Sequence, residues 1–71
     1  MSLKTRLYQE VRASIEPVAG GKLELLASEW GYKPSTSSRR LRELAEIGLL
    51  EAEYKKGYVR YTLPKEQLKL I

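Results

Sequence analysis

Apolar residues Leu3, Leu7, Tyr8, Val11 and Ile15 recur at helical spacing, with Lys4, Arg6, Gln9, Glu10 and Arg12 off the stripe. Ser2 suits an N-cap, and Glu16-Pro17 suits an end, because the residue before proline avoids helical dihedrals. The pattern predicts a first helix over about residues 2–15. A loop follows to Gly21, with Gly20-Gly21 supplying free turn geometry and room for a very short strand around Lys22-Leu23. Leu23, Leu26, Ala27 and Trp30 then fall at i, i+3, i+4 and i+7, one face of a short second helix over about 23–30. Gly31 stops it by taking a left-handed conformation. Pro34 opens a third helix, with Lys33 or Ser35 as its cap. This helix runs over about 34–47, buries Leu41, Leu44 and Ala45, and ends at Gly48.

The period changes over residues 49–63. Leu49-Leu50 and then Val59, Tyr61 and Leu63, alternating with Tyr58, Arg60 and Thr62, predict two strands. Lys55-Lys56-Gly57 lies between them with Gly for the turn, so the segment reads as a β-hairpin. Pro64 ends the second strand. In the tail, residues 64–71, Leu68 and Ile71 stand three apart and suit a last helical turn. No repeat interrupts the order helix, helix, helix, hairpin.

With 71 residues, the chain has room for one small core. It is 42% hydrophobic and 31% charged, which is a globular composition, and its only aromatics are five Tyr and Trp30. Uncharged runs such as Pro17–Gly21 reach only five residues, too short to span a bilayer. The N-terminus has no apolar core followed by a cleavage site, so a cytoplasmic protein is expected. Without Cys, disulfides, thiolate chemistry and Cys-bound metals are excluded. Without His, the commonest general base and nitrogen ligand are absent too. No enzyme, metal or cofactor is expected.

The net charge of +4 is unevenly spread. Residues 31–42 carry Lys33, Arg39, Arg40 and Arg42 and no acid; residues 54–65 carry Lys55, Lys56, Arg60 and Lys65 and no acid. Between them, Glu43, Glu46, Glu51 and Glu53 are unopposed. The pattern suits an oriented electrostatic face, and equally an ordinary solvated surface.

The turn Trp30-Gly31-Tyr32-Lys33 before Pro34 is short enough to make the flanking helices cross steeply, with the small Ala27 at their closest approach. Leu26-Ala27, Gly31, the run Ser35-Thr36-Ser37-Ser38-Arg39-Arg40-Leu41-Arg42-Glu43-Leu44, and Glu46-Ile47-Gly48-Leu49-Leu50 together resemble the winged helix-turn-helix superfamily of DNA-binding transcription regulators, of ArsR/MarR-like type. Gly57-Tyr58-Val59-Arg60-Tyr61-Thr62-Leu63 resembles the second wing strand of ArsR-type regulators. The resemblance covers about residues 22–63. It implies a mainly α fold with a β-hairpin wing: a three-helix bundle plus a small two- or three-stranded antiparallel sheet.

It also implies double-stranded DNA as partner, with the third helix in the major groove and the wing on the backbone or minor groove. With Leu41 inward at about 100° per residue, Ser35, Thr36, Arg39, Arg42, Glu43 and Glu46 fall on the outer side. Arg39 is then the candidate for bidentate contact to guanine. Ser35, Thr36 and Ser38 would meet phosphates or bases, Arg40 and Arg42 the flanking backbone, and Lys33 lies in the turn. Lys55, Lys56 and Arg60 take the wing role, although lysines at a hairpin tip also discourage edge pairing. A homodimer would suit a two-fold operator. Three features depart from the family: Ser37 replaces a small aliphatic residue, Lys22 replaces a Ser or Thr cap at the start of the second helix, and the metal-sensing Cys and His are missing. The alternative is a winged helix serving as a protein–protein interaction or assembly module without direct DNA binding. Trp30 and Tyr61 read as core. Tyr54 and Tyr58 flank the turn, where they either face each other or stack on unpaired bases of RNA or a single strand.

Overall fold

The computed structural model describes residues 2–64. The expected helical turn at Leu68–Ile71 lies outside the described residues. Helix α1 spans Leu3–Ala13, strand β1 Val18–Ala19, α2 Gly20–Glu29, α3 Pro34–Glu46, β2 Glu51–Lys55 and β3 Tyr58–Thr62. The three strands form one antiparallel sheet in the order β1-β3-β2.

Ser2 caps α1 as its sequence suggests, its Oγ accepting from the Thr5 N–H at 3.2 Å. The helix ends two residues short of Ile15. Ser14 takes an extended conformation, and its hydroxyl donates to the Glu10 carbonyl at 3.1 Å, so a local side-chain bond replaces further helix. Leu3, Leu7 and Val11 are buried, but Ile15, expected on the same stripe, is fully exposed.

Strand β1 forms at Val18–Ala19 rather than at Lys22-Leu23. Val18 is apolar and β-branched, and it pairs opposite Tyr61, with both buried. Gly20-Gly21 make no turn; they are the first residues of α2, which therefore begins three residues earlier than its apolar spacing suggests. Ala19, not Lys22, is the N-cap, and it offers no side-chain bond. Gly20 is needed for space: a Cβ there would lie 3.1 Å from Val59 Cγ1 and 3.4 Å from the Val59 carbonyl.

Helices α2 and α3 end alike. Gly31 (φ +93°) and Gly48 (φ +85°) adopt the left-handed conformation. After α2, the Tyr32 N–H reaches the Ala27 carbonyl at 2.9 Å and the Gly31 N–H that of Ser28 at 3.0 Å. After α3, Leu49 N–H reaches Leu44 and Gly48 N–H reaches Ala45 in the same way. Both are Schellman closures. Leu50 N–H also donates to the Leu44 carbonyl, so Leu49 and Leu50 close α3 instead of opening the hairpin, and β2 starts at Glu51.

Lys33 is the N-cap of α3, with Pro34 at its first position. Ser37 is completely buried; its hydroxyl donates to the Lys33 carbonyl at 3.0 Å and is thereby satisfied. The core gathers Leu7 and Val11 of α1, Leu23 and Ala27 of α2, Leu41 and Leu44 of α3, and Val18, Leu50 and Tyr61 from the sheet side. Ala27 has no exposed surface, which fits its expected place where helices approach closely. Trp30 is half-buried at the core's edge, with the Arg6 guanidinium 3.9 Å over its ring.

Candidate nucleic-acid interface

The start of α3 favours an anion. No side chain caps its first turn and no acid stands there, and its first backbone bond runs from Ser37 N–H to the Lys33 carbonyl. The Ser35 and Thr36 amides are therefore left at the positive end of the helix dipole. Around them, Ser35, Arg39 and Arg42 are exposed, Thr36, Ser38 and Arg40 half-buried, and Lys33 exposed just before the helix.

The arginines of α3 have different surroundings. Arg40 Nη1 donates to both Glu43 carboxylate oxygens, at 2.9 and 3.0 Å. Lys4 of α1 reaches the same carboxylate at 3.2 Å. Hydrogen bonds from Arg40 first and Lys4 second hold the Glu43 carboxyl below its ordinary pKa. Arg40 is thus turned toward α1 and neutralised. Among the described residues, Lys33, Arg39 and Arg42 have no acid partner.

The hairpin shows the same division. Its register pairs Glu53 with Arg60 and Lys55 with Tyr58, leaving Lys56-Gly57 as the turn, with Gly57 at φ +87°. Lys55 is therefore a strand residue. Arg60 donates to Glu53 across the strands, and Lys55 reaches the same carboxylate oxygen at 3.1 Å. Bonding from Arg60, then Lys55, lowers the Glu53 pKa, and Glu53 raises that of Arg60. Lys56 is exposed and carries no ion pair among the described residues.

Tyr54 and Tyr58 do not face each other. Tyr54 lies opposite Val59 and Tyr58 opposite Lys55, and alternation along the strands puts them on opposite faces, both exposed. Tyr61 is core, and burial raises its pKa, with the Tyr54 charge adding to the rise and the Arg42 charge opposing it.

The seven charged candidates thus separate by electrostatic surroundings. Arg40, Lys55 and Arg60 are tied to acids, whereas Lys33, Arg39, Arg42 and Lys56 are unopposed. The residues that sequence reasoning missed are Glu43 and Glu53, read there as unopposed, whereas each holds two cations. The spacing of Arg40 and Glu43, three apart on one helix, was the available signal for the first.

The rest of the described surface offers less. An open recess of about 430 Å³ lies where α1 passes into β1, with Ser14, Glu16 and Lys22 as its polar lining. No group of three potential metal ligands occurs among the described residues, and no described helix is long and apolar enough to cross a membrane. Comparison with protein-family models, with curated proteins and with solved structures gives no match to this chain.

Proposed function

We propose that this chain is a winged helix-turn-helix domain that binds double-stranded DNA and serves in transcription regulation. In this reading α2, the Trp30–Lys33 turn and α3 are the helix-turn-helix, α3 enters the major groove, and the β2–β3 hairpin is the wing along the backbone or minor groove. The strand order β1-β3-β2, with β1 between α1 and α2, is compatible with that arrangement.

The observation that carries the proposal is the stretch of α3 from Pro34 to Arg42. It presents two free amides, three hydroxyl side chains and two unopposed guanidinium groups, with no acid before Glu43. Phosphate oxygens suit the amides and hydroxyls, and a bidentate guanidinium suits guanine O6 and N7. Arg39, on the outer side of the helix, takes the base-reading role at a specific site, and on random duplex it joins Lys33, Arg42 and Lys56 in neutralising phosphates. Competition between a labelled duplex and its single strand tests this: the duplex should displace the label at lower concentration, and preference for the single strand would contradict it.

One observation favours a second reading, that of a protein interaction module. Leu25 and Ile47 are large apolar side chains exposed by 71% and 61%. Under that reading, Leu25→Ser and Ile47→Ser would abolish partner capture while Arg39→Ala would not.

A further inference from the structure

Glu53 stands in the middle of the proposed wing, where a carboxylate weakens contact with a polyanion. It is neither at the strand's end nor turned away from the basic residues. It sits directly across from Arg60 and two residues before Lys55, all on one face of the hairpin, and it binds both. The Arg60 side chain is 33% exposed and that of Lys55 44%. The hairpin therefore has three cations but presents only Lys56 unopposed.

We propose that Glu53 is a brake on sequence-independent DNA binding: it keeps Lys55 and Arg60 from phosphate and so limits the wing to one phosphate contact. This rests on the DNA-binding reading above and adds the residue that sets how strongly the wing holds DNA of any sequence. Phosphate contacts strengthen binding to every sequence alike, whereas base contacts discriminate. Fewer wing contacts therefore lower affinity for random and specific duplex alike, and the discrimination by Arg39 between them is unchanged.

The size of the effect follows from counterion release. Each neutralised phosphate contributes about −0.9 to the slope of log K against log salt. Four unopposed cations, Lys33, Arg39, Arg42 and Lys56, give about −3.6, or roughly a 150-fold loss of affinity from 50 to 200 mM salt. Glu53→Gln releases two more cations and should steepen the slope to about −5.4, roughly a 1,800-fold loss over the same range.

Charge removal alone must be separated from release of the clamp. Glu51 is exposed, lies on the same strand face and holds no cation in an ion pair, so Glu51→Gln makes the same charge change without freeing anything. The experiment is a salt titration of random-sequence duplex by fluorescence anisotropy on the native chain, Glu53→Gln, Glu51→Gln and Glu53→Gln/Lys55→Ala, each checked for an unchanged thermal melt. We expect Glu53→Gln to steepen the slope, Glu51→Gln to leave it near −3.6, and the added Lys55→Ala to return about 0.9 of the gain. Equal slopes for the Glu53 and Glu51 variants would overturn the brake while leaving DNA binding intact. Failure of the native chain to bind duplex would instead remove the reading on which the brake rests.

Discussion

Arg39 and Arg40 are adjacent in sequence, equal in charge and on the same helix, yet the structure gives them opposite expectations. Arg39 is exposed and unopposed, with its guanidinium free to meet a base edge. Arg40 has both Glu43 oxygens within 3.0 Å, and Lys4 shares that carboxylate. Removing a bidentate guanine contact costs about 1–3 kcal/mol of discrimination, which is about 5- to 160-fold in affinity. Arg39→Ala should therefore weaken binding to a site obtained by selection by that factor and weaken binding to random duplex much less. Arg40→Ala should weaken both by less than about 5-fold, since its charge is already balanced by Glu43. Neither residue is in the core, so both melts should stay close to that of the native chain. Anisotropy on the two duplexes, with circular dichroism melts alongside, decides the matter. A loss for Arg40→Ala that equals or exceeds the loss for Arg39→Ala would refute the assignment of the two arginines.

Three further outcomes are expected. Ala27→Leu forces extra carbons into a fully buried site between helices and should cost about 1–3 kcal/mol, lowering Tm by about 4–8 °C for each kcal/mol; an unchanged melt would show that the α2 packing is loose. Lys56→Ala should weaken specific and random duplex alike and flatten the salt slope by about 0.9, whereas a loss confined to one sequence would make Lys56 a base reader. Glu43 and Glu53 both have pKa values lowered by their cations, so the stability they add is complete above the ordinary carboxylate value of 4.5 and is lost as pH falls through their lowered values. Melts followed from pH 6 to pH 3 should show a smaller decline for the Glu43→Gln/Glu53→Gln variant than for the native chain, and an equal decline would rule out both pairs as its source.

The three helices and the hairpin were legible because each carries its own period and its own stop. Gly31, Gly48 and Gly57 are strong signals, since each takes a positive φ that other residues resist. What remained hidden depends on contacts between distant segments. Val18–Ala19 is too short to show alternation, and it becomes a strand only because Tyr61 and Arg60 offer partners. Gly20 resembles a turn residue, but its small size serves the approach of Val59. Ile15 continues an apolar stripe in sequence, but the Ser14 hydroxyl closes the helix before it.

The candidate site was half legible in the same sense. Charge counting located both basic segments, but it treats every cation as available. Once the turn is placed at Lys56-Gly57 the register puts Glu53 opposite Arg60, whereas a turn spread over three residues hides that pair. The Lys4–Glu43 pair joins α1 to α3 across 39 positions and has no local signature. The same register separates Tyr54 from Tyr58 and removes the facing pair that their spacing suggested.

The central claim is that unopposed cations on α3 and the hairpin neutralise duplex phosphates. Its most direct test is the salt dependence of binding to a labelled duplex, measured with the matching single strand alongside. The account predicts duplex binding that is tighter than single-strand binding, with a log–log slope near −3.6 for the four free cations. No duplex binding at low salt, or a slope near zero, would contradict it.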